Sequence, residues 1–288
     1  MLKILFAVIL SVFCIISKAD NSDKIPAEVQ EKIPKNIDYI GFVDGTTFSF
    51  RMMKKPILAE VQQYSYFQEV DFSVLLNRYY IFGSTVQDYY GVIVFSRNGN
   101  AKRFFQMLNI QLRKKDAGAV ITENFATSTK EKLFFKLYTN DLLLISKNEM
   151  QPEKYKCSKP SRLLKELTYS YIFEVYSKFD PKKIPIFYDY ISGVPTLSGF
   201  KESRMIFSRS SLNLEISYKY SSNKDAEQKF RKLKSSLKKI AVKYPKFPST
   251  FSRKLRKDTI HFSLSKPFFP AARQIVHDPA YQPFLNIK

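Results

Sequence analysis

Apolar and polar residues alternate most regularly between Leu212 and Tyr220. The apolar or aromatic positions are Leu212, Leu214, Ile216, Tyr218 and Tyr220, and the residues between them are polar. Because successive side chains of a strand point to opposite faces of a sheet, this pattern predicts a strand with one buried and one wet face. Shorter runs predict further strands at 37–43, 79–83, 90–96, 119–125, 132–138, 142–146, 171–176, 203–209, 251–257 and 259–265.

Spacings of three and four predict two amphipathic helices. The first follows the turn at 98–100 and has its apolar positions at Ala101, Phe104, Phe105, Leu108 and Leu112. The second runs from Lys224 to Lys243, with Ala226, Phe230, Leu233, Leu237 and Ile240 on its apolar face. Ser222 and Asp225 have the spacing of a capping box at its start. Two further helical stretches are expected at 47–68 and 181–197.

The order strand, helix, strand, strand, helix, strands occurs twice along the chain. This is the order of a β-α-β-β-α-β unit, and it predicts an α+β protein formed by tandem duplication of a ferredoxin-like unit, with mainly antiparallel sheets. The predicted repeats cover 20–150 and 166–265, joined by a linker at 151–165. A single larger α+β sheet is the alternative.

The C-terminal segment 266–288 contains four prolines among aromatic residues, so neither a continuous helix nor a central strand is expected there. We expect an extended strap that covers the protein's own sheet. Docking on a partner is the alternative.

The first nineteen residues have the three parts of a secretory signal peptide. Lys3 precedes an apolar run at 4–16, and Ser17-Lys18-Ala19 places small residues at the positions that a signal peptidase requires. We therefore expect cleavage after Ala19 and export to the periplasm or the medium, with a membrane anchor formed by 4–16 as the alternative. The mature chain would keep one cysteine, Cys157, and thus no intramolecular disulfide.

Positive charge is concentrated in the second half of the chain. The net charge of +21 becomes +19 without Lys3 and Lys18, and residues 201–258 contain 17 basic and 5 acidic residues. The residues predicted to contact an anionic surface are Lys229, Arg231, Lys232, Lys234, Lys238, Lys239, Lys243, Arg253, Lys254, Arg256 and Lys257.

An exported protein with such a surface would meet anionic lipid headgroups or envelope polymers, so peripheral membrane contact or a protein partner is expected. Nucleic acid is not expected as a partner, because the chain has no known nucleic-acid-binding module. The alternative is a compositional bias toward Lys, Ile, Phe, Tyr and Asn that leaves a solvated basic face without a partner.

Motifs for catalysis, metal binding or cofactor binding are not found. His261 and His277 lack neighbouring ligands at metal-site spacings, and no nucleophile or phosphate-binding motif accompanies them. Cys157 has no catalytic signature around it. Of the carboxylates, Asp44, Asp71, Glu174 and Asp180 lie near element ends, where folding could bring a pair together.

The sequence therefore favours a non-enzymatic exported binding protein without cofactor or metal. Two alternatives remain at this point: a hydrolase of an envelope polymer with carboxylates assembled by the fold, and a structural or assembly subunit of an envelope complex.

Overall fold

A computed structural model describes residues 25–44, 77–84, 89–130, 132–147, 162–167, 171–178, 196–208, 213–243, 252–265 and 286–287. The chain forms two compact units, Met1–Ile172 and Phe173–Lys288. The predicted signal peptide, the helical stretch at 47–68, and most of the stretches at 181–197 and 266–288 lie outside the described residues.

The first unit contains a seven-stranded sheet and few helices. Its strands are β1 (Tyr39–Asp44), β2 (Arg78–Ser84), β3 (Tyr89–Phe95), β4 (Val120–Ile121), β5 (Phe125–Ser128), β6 (Leu133–Thr139) and β7 (Leu142–Lys147). They lie in the order β1-β2-β3-β7-β6-β5-β4, and each adjacent pair is antiparallel. Its helices are α1 (Ala27–Gln30) and α2 (Asn100–Lys115), with a 3-10 helix at Arg162–Glu166.

Both faces of the central strands in this unit are apolar and buried. Helix α2 packs on one face, where the rings of Phe104 and Tyr79 are 6.5 Å apart. The opposite face contains Ile40, Phe82 and Ile93, which are fully buried. Burial on both sides explains why these strands are almost continuously hydrophobic, whereas a strand with one wet face alternates.

In two places in the first unit, the structure differs in detail from the prediction. The single strand expected at 119–125 is β4 and β5, because Thr122 turns the chain and its amide donates a hydrogen bond to the carbonyl of Phe125. The end of the predicted linker 151–165 is a 3-10 helix with Leu163 and Leu164 buried, which packs near β1.

The second unit contains a five-stranded sheet. Its strands are β8 (Tyr171–Ser177, which begins two residues before the unit boundary), β10 (Glu202–Ser208), β11 (Asn213–Lys219), β12 (Ser252–Arg256) and β13 (Thr259–Ser265), in the order β8-β10-β11-β13-β12. Helix α3 (Asn223–Lys243) connects β11 to β12. Two residues of the predicted strap form β14 (Asn286–Ile287), which pairs in parallel with β9 (Thr196–Leu197) and lies near α3.

One face of this second sheet is apolar and the other polar. Leu214, Ile216 and Tyr218 of β11 are buried and lie opposite Leu264, Phe262 and Ile260 of β13, in that order. The residues between them, from Glu215 to Lys219, are exposed or half-buried. The predicted alternation is thus confirmed from Leu214 to Tyr220, with Leu212 outside the described residues, and α3 packs on the apolar face.

The fold is α+β with mostly antiparallel sheets and few helices, as predicted, but the ferredoxin-like strand arrangement is wrong. In a split β-α-β unit the first two strands run parallel with another strand between them. Here β1 pairs directly and antiparallel with β2, and β8 is the direct neighbour of β10. The order of elements along a chain does not determine the position of each strand in the sheet. The same order is therefore compatible with the ferredoxin-like arrangement and with the observed one.

A candidate anion-binding surface on helix α3

Helix α3 is held on its sheet by a short row of buried side chains. Ala226, Leu233 and Leu237 are at most 2% exposed. At the helix start, the Ser222 hydroxyl accepts a hydrogen bond from the Asp225 amide (3.1 Å) and donates one to the Asp225 carboxylate (2.7 Å). The N-cap half of the predicted capping box is therefore confirmed, whereas the Asp225 carboxylate accepts from the Ser222 hydroxyl rather than from the Ser222 amide.

The basic residues of α3 surround this buried row. Arg231, Lys232, Lys234, Lys238 and Lys239 are exposed, whereas Lys229 is half-buried with its ammonium 2.9 Å from the Ser198 hydroxyl. Lys243 ends the helix, and its side chain is outside the described part. Residues seven apart lie on the same line of a helix, so Arg231 and Lys238 flank one side of the outer surface, and Lys232 and Lys239 flank the other.

Few carboxylates offset this charge. The helix has eight basic and two acidic residues, and Glu227 lies 3.8 Å from Arg231 as an i,i+4 pair. Within the described part of the chain, Lys238 and Lys239 form no ion pair. We name Arg231, Lys232, Lys238 and Lys239 the first basic face.

Phe230 is not the core residue that the helical spacing predicts. Its side chain is half-buried, and the Lys234 ammonium lies 4.7 Å from the centre of its ring. At 100° per residue, Phe230 is rotated away from the centre of the buried row and lies at its edge. The side chain of Ile240, predicted on the same apolar face, is outside the described part.

The predicted basic residues of β12 do not form one surface with those of α3. Arg253 lies opposite Phe262 and therefore on the face that α3 covers, whereas Lys254 and Arg256 lie opposite His261 and Thr259 on the other face. Lys257 is in the turn that follows. The predicted residues described in α3 and β12 are thus divided between the two sides of the sheet, because neighbouring residues of a strand point in opposite directions.

His261 lies on the polar face of the sheet, as predicted. It is directly opposite Lys254 on one neighbouring strand and Ser217 on the other, and it is half-buried. Burial lowers the pKa of His261, the nearby Arg256 guanidinium lowers it further, and the Glu215 carboxylate acts in the opposite direction. The neutral imidazole is therefore favoured there.

Of the candidate catalytic carboxylates, the structure describes Asp44 and Glu174. Glu174 is fully buried and forms an ion pair with Arg204, and Asp44 is buried at the end of β1. Asp71, Asp180, Cys157 and His277 lie outside the described part. Within it, no group of His, Cys, Asp and Glu could hold a metal ion.

The structure contains a second basic helix that is not among the predicted basic residues. Helix α2 contains Lys102, Arg103, Arg113, Lys114 and Lys115 and no acidic residue. Burial lowers the pKa of Lys115, and the neighbouring charges of Lys114 and Lys130 lower it further, as expected where cations are crowded. Counting charges within each predicted helix, rather than over long stretches of sequence, would have found it.

No helix in the described ranges is both long and apolar enough to cross a membrane.

No protein-family model and no curated protein sequence matches this chain. Solved structures that resemble it include three crystal forms of TP0453. Crystal form I has a TM-score of 0.49 and 9% sequence identity, over 91% of this chain and 99% of that chain. Crystal form III has a TM-score of 0.48 and 9% sequence identity, over 86% of this chain and 95% of that chain. Crystal form IV has a TM-score of 0.44 and 8% sequence identity, over 86% of this chain and 94% of that chain.

Proposed function

We propose that this protein is an exported, non-enzymatic binding protein that attaches to anionic lipid headgroups of the cell envelope through the first basic face. The observation that carries the proposal is the orientation of α3. Its buried apolar residues, Ala226, Leu233 and Leu237, pack against its own sheet, and its exposed cations point away from that sheet. A helix fixed in this way presents its charges to a partner without having to fold on binding.

The charge of this face gives a weak attraction to an anionic membrane surface. Each Lys or Arg near an anionic bilayer contributes about 1 kcal/mol of binding free energy, so four of them correspond to about 4 kcal/mol. This attraction is screened by salt, and the screening length falls to a few Å near 0.5 M. Binding through this face should therefore be weak, with a dissociation constant of about 1 mM at low ionic strength, and reversible by salt.

Export determines which polyanion is available. The signal peptide proposed at 1–19 would place the mature chain in the periplasm or the medium, where lipid headgroups are abundant and nucleic acid is not.

We also propose that the two units arose by duplication. The order β1-β2-β3-β7-β6 in the first matches β8-β10-β11-β13-β12 in the second, and the helix stands at the same step in each.

The test uses purified protein and vesicles of zwitterionic lipid, with or without phosphatidylglycerol. We expect the native protein to bind only the anionic vesicles at low salt and to be released by about 0.5 M salt. Replacing Lys232, Lys238 and Lys239 with Glu should weaken binding at least a hundredfold, since each change removes one attractive charge and adds a repulsive one.

The matched control replaces Lys201, Lys254 and Arg256 with Glu, which changes the net charge by the same amount away from α3. All three side chains are exposed. Equal losses for both triple variants would show that net charge, rather than the first basic face, is responsible. If the native protein does not bind anionic vesicles, the proposal is overturned, and compositional bias is favoured as the origin of the charge.

A further inference from the structure

Helices α2 and α3 occupy the same step in their respective units. Each follows the third strand of its sheet in the shared order, and each precedes a hairpin, β6–β7 or β12–β13, whose second strand returns beside that third strand; β4 and β5 intervene only in the first unit. Each also buries an apolar row: Ala101, Phe104, Phe105, Leu108 and Leu112 in α2, as predicted, and Ala226, Leu233 and Leu237 in α3.

The acidic groups that stabilise α2 lie beyond its ends. At its start, Asp141 accepts hydrogen bonds from the Gly99 amide (2.7 Å) and the Ser96 hydroxyl (3.3 Å). At its end, Asp116 follows the last helical residue and binds the hairpin between β5 and β6. A carboxylate near the N-terminus also suits the helix dipole. The outer surface of α2 therefore carries positive charge alone.

Each basic helix has an exposed aliphatic side chain in its C-terminal half. Among the described residues, the exposed large hydrophobic side chains are Ile110 (55%), Val120 (56%) and Val242 (86%). Ile110 lies one turn before Arg113 and Lys114, and Val242 lies one turn after Lys238 and Lys239. Residues three and four apart are neighbours on a helix surface, so each aliphatic side chain is flanked by two cations.

We propose that Arg103, Ile110, Arg113 and Lys114 form a second basic face, which binds an anionic lipid bilayer. This rests on the proposed function, because the same kind of surface is the partner. The cations attract phosphate groups, and the aliphatic side chain favours a bilayer over a soluble polyanion, since only the bilayer offers an apolar layer beneath its charges.

The first experiment is done in the variant whose Lys232, Lys238 and Lys239 have been replaced with Gln, so that binding through α2 is measured directly. Adding Arg103→Gln, Arg113→Gln and Lys114→Gln should lower the remaining affinity for phosphatidylglycerol vesicles about a hundredfold, at about fivefold per cation. The control adds Lys130→Gln, Lys165→Gln and Lys201→Gln instead, which removes equal charge from exposed positions off both helices.

The results separate the two proposals. Equal losses in the α2 and control variants would overturn the second basic face while leaving the first intact. Native-level binding by the parent variant, with loss only after the α2 changes, would overturn the first face and support the second. Circular dichroism and thermal unfolding of every variant verify that the fold is kept.

The second experiment tests the choice of a bilayer. Ile110→Ser should weaken vesicle binding about fivefold, because it removes apolar surface that the bilayer would bury on binding. It should leave binding to soluble polyphosphate unchanged. Val120→Ser removes an aliphatic side chain of similar exposure from β4 and should change neither. If Ile110→Ser weakens neither interaction, or the α2 cations bind polyphosphate but not vesicles, the bilayer is not the partner of α2.

Discussion

The carboxylate of Asp116 accepts a hydrogen bond of 2.8 Å from the hydroxyl of Ser128, which joins the end of helix α2 to strand β5. The same carboxylate accepts hydrogen bonds from the Thr129 hydroxyl (2.8 Å) and from the amides of Lys130 (3.1 Å) and Gly118 (3.2 Å). Four donors converge on one charged group, and together they lower the pKa of Asp116 to about 2.

Asp116→Asn should therefore destabilise the first unit. The amide keeps one acceptor oxygen but loses the charge that strengthens all four hydrogen bonds, so we expect the melting temperature at pH 7 to fall by about 5 °C. Because the folded pKa is depressed, the stabilisation is complete above the unfolded value of about 4 and is lost as the pH falls from about 4 toward 2.

Thermal unfolding of the native protein and the variant between pH 2 and pH 7 measures this contribution. The two melting curves should differ most above pH 5 and converge at the lowest pH. A constant difference across the range would show that the charge of Asp116 contributes nothing to stability.

Ser222→Ala should lower the free energy of unfolding by about 1 kcal/mol, because the Asp225 amide at the start of α3 loses its hydrogen-bond acceptor. Ser222→Asp keeps an acceptor at this position and should retain most of the stability. Urea unfolding followed by circular dichroism compares the three proteins. Identical midpoints for the alanine variant and the native protein would mean that the cap does not stabilise the helix.

Local structure in this protein could be read from the sequence because it depends on local spacing. The alternation from Leu214 to Tyr220 and the Ser222–Asp225 cap each lie within ten residues, and both are confirmed. Strand order depends on pairing between distant residues, such as Val94 with Leu143. Nothing near either residue encodes that pairing, and so the ferredoxin-like arrangement was wrong.

For the candidate site, too, local spacing predicts some features and only the fold determines the others. The exposure of Lys238 and Lys239 follows from helical spacing, and alternation in β12 already implies that Arg253 and Lys254 point in opposite directions. Which of these directions faces α3 is decided by the register of β12 against β13, where Arg253 meets the buried Phe262. Only the fold contains that information.

Gly91→Ala should destabilise the first unit, because a Cβ atom at Gly91 would lie 2.5 Å from the ring of Phe82 on the neighbouring strand. Both residues are on the buried face opposite α2, and overpacking of this kind costs about 1–3 kcal/mol. Phe82→Leu shortens the opposing side chain, so Gly91→Ala should cost less in that background. Urea unfolding of the native protein, both single variants and the double variant gives the coupling energy. An equal cost of Gly91→Ala in both backgrounds would show that Phe82 is not the obstacle.

His261 should titrate below the ordinary histidine value of about 6.5, because burial and the Arg256 guanidinium both lower its pKa. The unfolded chain then takes up the proton more readily than the folded one, so stability falls as the pH drops below about 6.5. Arg256→Gln should raise the pKa of His261, whereas Glu215→Gln should lower it further, since the carboxylate favours the charged imidazole. NMR titration of the imidazole resonances measures each value, with His261→Gln used to assign them. A pKa for His261 at or above 6.5 in the native protein would contradict the expectation and show that Glu215 outweighs burial and Arg256 together.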